Sequence, residues 1–66
     1  MRKKLDDIQP EPGSAFRVYF PGGVPPRVLV GTGNYDHEKK SHEMLDPKTG
    51  DREFVPGWLV AIRAKV

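Results

Sequence analysis

The 66-residue sequence predicts a mainly β fold, either a small antiparallel sheet or an SH3-like or OB-like partly open barrel, of about five short strands. Three observations predict it. Apolar side chains alternate with period two over residues 15–20 and 58–66. Seven glycines and seven prolines cut the chain into short segments. No stretch repeats with helical periodicity for long enough to make a long helix with a buried face.

Residues 1–14 hold three basic and three acidic side chains, two prolines, one glycine, and only Leu5 and Ile8 as bulky apolar anchors. That composition predicts a flexible N-terminal arm ahead of a single small β domain over residues 15–66. Leu5 and Ile8 are three apart, so they would share one face of a short helix formed on a partner. In the first strand Phe16, Val18 and Phe20 point one way, and Ala15, Arg17 and Tyr19 the other. Pro21, Gly22 and Gly23 end it, and Pro25 and Pro26 delay pairing until Arg27, which opens a second strand over residues 27–30. Gly31, Thr32, Gly33 and Asn34 read as a turn. Residues 35–43 read as a solvated loop entering a strand; a helix from Asp36 would have charge pairs but almost no apolar face.

The clearest local signal is Asp46-Pro47-Lys48-Thr49-Gly50. Aspartate opens a type I turn, proline presets its second position, and glycine supplies the left-handed residue that closes the loop with a bulge. Residues 41–45 and 51–55 should therefore pair as a hairpin. Pro56 and Gly57 break the chain before a last strand, where Trp58, Val60, Ile62, Ala64 and Val66 share one face and Leu59, Ala61, Arg63 and Lys65 the other. The larger apolar set is assigned to the core.

Composition bounds the function. A compact chain of this length exposes about 4,200 Å² and buries only about 60% of its unfolded surface, which excludes a large core. Cysteine is absent, so no disulfide, thiolate metal site or redox pair is available. Met1, Arg2, Lys3 and Lys4 match the charged start of a signal peptide, but Asp6 and Asp7 follow Leu5, and no apolar run would cross a bilayer. The expectation is a cytoplasmic protein without a membrane partner. Eleven Lys and Arg against nine Asp and Glu leave a net charge of +2, too small an excess to single out nucleic acid.

Motifs for catalysis and metal binding fail on spacing. His37-Glu38 and His42-Glu43 resemble pieces of a zinc-protease signature, but the histidines are five apart, about 140° around a helix and on opposite faces of a strand. No metal or other cofactor is expected. Val28-Leu29-Val30-Gly31-Thr32-Gly33 starts like a dinucleotide fingerprint, but Asp36 stands at the third glycine position. Lys48-Thr49-Gly50 lacks the Ser-x-x-Lys that accompanies it in penicillin-binding enzymes. Ser14, Thr32, Ser41 and Thr49 have no nucleophile-elbow context, and Asp46, Asp51 and Glu53 cluster at one solvated hairpin end. A ligand pocket of about 300–1,000 Å³ would hollow out a fold whose whole volume is on the order of 9,000 Å³. A non-enzymatic protein is expected.

The outer surface then carries the function. Arg17, Tyr19, Arg27, Arg63 and Lys65 are the candidate partner-binding residues, with secondary contacts from Leu5, Ile8, Lys39 and Lys40. If the first and last strands are neighbours, Arg17, Tyr19, Arg63 and Lys65 form a basic patch with an aromatic in it. Such a patch suits docking on a larger protein, and it also suits single-stranded nucleic acid, with bases on the ring and phosphates on the cations.

Phe16, Arg17, Val18, Tyr19 and Phe20, residues 45–54 with their Asp46-Pro47 turn, and residues 58–66 together resemble the small, basic, cysteine-free proteins that bacteriophages encode against host machinery, in particular inhibitors of host RNA polymerase. The resemblance is one of character over residues 15–66. It implies a transcription regulator whose partner is the polymerase, and with no shared signature it transfers no individual site residue.

Overall fold

A computed structural model describes residues 2–65. Its elements run β1 (Lys3–Lys4), α1 (Leu5–Ile8), β2 (Ala15–Tyr19), β3 (Arg27–Asp36), β4 (Ser41–Leu45), β5 (Arg52–Pro56) and β6 (Val60–Arg63). The six strands form one open antiparallel sheet in the order β1-β6-β2-β3-β4-β5. The mainly β expectation is met, with one strand more than the sequence predicts. The molecule measures 26 × 23 × 21 Å, whereas a flat sheet is only about 10 Å thick, so the sheet is strongly curled. Its two edges do not pair. Gly57 bridges between them, accepting from the Asp6 amide at 3.0 Å and donating to the Lys40 carbonyl at 3.1 Å.

The concave side encloses the core of Leu5, Phe16, Val18, Leu29, Met44, Val55, Leu59 and Ala61, with Ile8 and Phe20 packed against it. The alternation read in β2 holds: Phe16 and Val18 are buried while Arg17 is exposed. The β4–β5 hairpin also follows its turn chemistry. The Gly50 amide donates to the Asp46 carbonyl at 2.7 Å, the Lys48 amide to Asp46 Oδ1 at 2.9 Å, and Gly50 takes φ +79.

Three expectations change. First, part of the predicted arm belongs to the sheet. Lys3 and Lys4 pair with Ala61 and Val60, the Leu5 amide donates to the Leu59 carbonyl at 2.9 Å, and the Leu5 side chain is fully buried. The edge of β6 satisfies the backbone groups of β1 and the core takes in Leu5, so the local shortage of apolar residues is no obstacle. The helical turn expected on a partner forms on the chain's own core.

Second, residues 31–34 are not a turn. They continue β3 through an irregularity in the β3–β4 register between Gly31 and Tyr35. Gly31 lets the N-terminal segment approach, since a Cβ there would lie 2.6 Å from the Glu11 carbonyl oxygen. The chain reverses instead at residues 37–40, where Asp36 Oδ1 accepts from the Glu38 and Lys39 amides at 2.9 and 3.1 Å.

Third, the last strand faces the other way. Leu59 and Ala61 are buried, and Trp58 is 59% exposed. The Leu59 amide donates to the Pro56 carbonyl at 3.2 Å, closing a four-residue turn with Gly57 and Trp58 at its tip. The tip residue projects outward and Leu59 is the first to turn in, which fixes the phase of β6. Val60 and Ile62 therefore lie on the convex side, and Val66 lies outside the described residues.

Candidate interaction face

The registers define what the convex side presents. In one row Lys4 pairs with Val60 and Val60 with Tyr19. In the next, Arg17 lies between Ile62 on β6 and Val28 on β3. A third row runs Ala15, Val30, Leu45 and Arg52 across β2 to β5. Directly paired residues share a face, so these ten side chains lie on one continuous side of the sheet, where Ala15 is buried, Val28, Val30, Leu45, Val60 and Ile62 are half-buried, and Lys4, Arg17 and Arg52 are exposed. It is largely aliphatic, and the charged members of these three rows, Lys4, Arg17 and Arg52, are cationic; the next pair along β4 and β5 on the same side is Glu43 with Phe54, and Glu43 lies near enough to Arg52 to feel its charge.

Arg2 adds a cation at one end, with its guanidinium carbon 4.8 Å from the centre of the Tyr19 ring. Arg2, Tyr19, Phe20, Trp58 and Val60 border a groove of about 370 Å³ there. Two exposed rings, Tyr35 and Phe54, lie on β3 and β5, and Lys39 Nζ stands 5.0 Å from the Phe54 ring centre.

Of the residues singled out in the sequence, Arg17 and Tyr19 lie together on this face, and β2 and β6 are neighbours as the patch requires. Arg63 is separated from them. It pairs with Phe16, on the opposite side of the sheet from Arg17, and its guanidinium carbon stands 5.4 Å from the Phe16 ring centre at the open end of the core. Lys65 is exposed beyond β6. Arg27 is held by two carboxylates: Nη2 donates to Asp46 Oδ2 at 3.0 Å and Nη1 to Glu53 Oε1 at 2.8 Å. These partners, Asp46 first, raise the guanidinium above its ordinary pKa, and the Lys48 amide followed by Arg27 holds the Asp46 carboxyl below the usual range. Arg27 thus ties the start of β3 to the β4–β5 hairpin. Leu5, fully buried, has no surface for a partner, Ile8 is half-buried against the core, and Lys39 and Lys40 stand exposed in the β3–β4 turn.

The sequence reading missed Val28, Val60, Ile62 and Trp58 as surface. Both sets in the last strand are apolar, so alternation sorts them into two faces without saying which is inside; the 56–59 turn was the signal that could have decided it. Comparison with protein-family models, curated proteins and solved structures finds no match. No helix among the described residues is long and apolar enough to cross a membrane.

Proposed function

We propose that this chain is a non-enzymatic regulatory protein that docks the convex face of β6, β2 and β3 onto an acidic, apolar patch of a larger protein assembly. The supporting observation is the composition of those rows: aliphatic side chains and Tyr19 across several strands, with Lys4, Arg17 and Arg52 as their charged members. Apolar area supplies affinity on burial, while charges of one sign orient the encounter and reject basic surfaces. A standard interface takes about 800 Å² from each partner, about a sixth of the 4620 Å² this molecule exposes. The resemblance to phage inhibitors puts the assembly in transcription, with host RNA polymerase as the target to be blocked or displaced.

The second reading is single-stranded nucleic acid, favoured by Trp58 and Tyr19 bordering one groove with Arg2. Valine and isoleucine offer no stacking plane, which is why protein docking leads. A pull-down from nuclease-treated lysate separates the two. The proposal expects a protein partner that survives nuclease and is lost with Arg17→Glu. Loss of every protein after nuclease, together with binding to single-stranded oligonucleotides that falls linearly with log salt, would overturn it in favour of nucleic acid.

A further inference from the structure

A surface cleft of about 660 Å³ adjoins the docking rows at Glu43. One wall is the segment that follows β1 and the other is the β3–β4 hairpin. Its charge is the reverse of the three docking rows. Asp6, Glu11 and Glu43 line it and no lysine or arginine does, in a chain with more basic than acidic side chains.

The walls are built for a flat group. The Tyr35 ring meets the His37 ring edge-on at 5.0 Å between centres, and the His42 ring at 4.6 Å, tilted by 56°. Opposite stand Pro10 and Pro12. They approach this closely because β3 carries glycine beneath them: a Cβ on Gly31 would lie 3.1 Å from Pro10 Cβ, and one on Gly33 2.7 Å from Pro12 Cγ.

The carboxylates keep acceptors in reserve. Glu43 Oε1 accepts from Thr32 Oγ1 at 2.8 Å and from Asn34 Nδ2 at 3.0 Å, which holds the carboxyl below its usual range and the anion in place. Its Oε2 has no partner among the described residues, and neither has the Glu11 carboxylate. Asp6 Oδ1 is shared with His42 Nε2 at 2.9 Å, leaving Oδ2.

We propose that this cleft binds a guanidinium group on an alkyl stem, the chemistry of an arginine side chain. The planar cation stacks on the exposed Tyr35 ring, its in-plane N–H groups donate to Glu43 Oε2 and Glu11, and the stem lies along the two prolines. An ammonium is a compact, strongly hydrated charge with no plane to stack, and fits the ring wall less well. Among the described residues no three metal-ligating side chains converge, so the donor set favours an organic cation over a metal ion. The site uses none of the ten side chains of the docking rows, although Glu43 lies near Arg52.

The test is an NMR titration of the full chain with arginine capped at both ends, free arginine, capped lysine and capped citrulline, the neutral isostere. The expected result is saturable shifts at Gly33, Tyr35 and His42 with either arginine ligand. Capped lysine should bind more weakly and citrulline should leave these signals unmoved. Glu43→Gln should weaken binding about tenfold, the loss of one charge-assisted bond. Glu11→Gln, at an exposed side chain outside the core, should also weaken it and serves as the variant whose folding is not in question. Preference for the capped form assigns the guanidinium to a peptide, and equal affinity assigns it to a free small molecule. No saturable shift at roughly 20 mM capped arginine, or equal response to citrulline, would overturn the proposal.

Discussion

Trp58, at the tip of the 56–59 turn and 59% exposed, contributes surface to the groove beside Tyr19 and little to the core. Trp58→Ala should therefore change unfolding free energy by no more than about 0.5 kcal/mol, the ordinary range of a surface substitution. Phe16→Ala, at a fully enclosed ring, should cost about 3–5 kcal/mol, enough to unfold many domains of this size. Urea titrations followed by circular dichroism compare the two, and a large loss at Trp58 would return that ring to the interior. Asp46 makes a different prediction. Its carboxyl is bound by the Lys48 amide and Arg27, so the folded state binds protons less readily than the unfolded one. The resulting stabilisation is complete above the unfolded value of about 3.9 and is lost as pH falls through the lower folded value. Melting temperature should fall on acidification below about pH 4, and less steeply in Asp46→Asn; identical acid limbs would contradict the assignment.

At the scale of elements, β1 and α1 have few apolar residues of their own and are held by the body of the sheet. Leu5→Ala should cost about 2–5 kcal/mol in the same urea titration, whereas an unattached arm would register almost nothing. Gly31→Ala should cost about 1–3 kcal/mol and shift the amide signals of Glu11 and Gly13, because the new methyl meets the Glu11 backbone and the Gly13 amide donates to the Gly31 carbonyl. These elements also show what could be read from the sequence. The 46–50 turn was legible because aspartate, proline and glycine each meet a local backbone requirement, and β2 because only one of its two faces is apolar. The direction of β6 was not, since either face satisfies a core and a hydrogen bond at the preceding turn decides. Nor was the docking of residues 3–8, which depends on pairing with the edge of β6 and on burial of Leu5 in the common core. The cleft was invisible for the same reason: it arises where residues distant in sequence meet across Gly31 and Gly33.

Over the whole molecule, charge is sorted more sharply than the net +2 implies. The three convex rows carry cations and the cleft carries carboxylates, and the two regions meet where Glu43 lies near Arg52. Arg27, neutralised by Asp46 and Glu53, belongs to neither, so Arg27→Met should leave partner capture intact while Arg17→Glu abolishes it; equal effects in a pull-down would remove the convex face as the cause. That face is central to the account, and photocrosslinking reads it most directly. With p-benzoylphenylalanine replacing Ile62, irradiation in lysate should give a discrete protein adduct that resists nuclease, disappears on addition of Arg17→Glu to the same chain, and is not formed from position 48 in the hairpin turn. The same adducts from both positions, or adducts destroyed by nuclease alone, would contradict docking through this face.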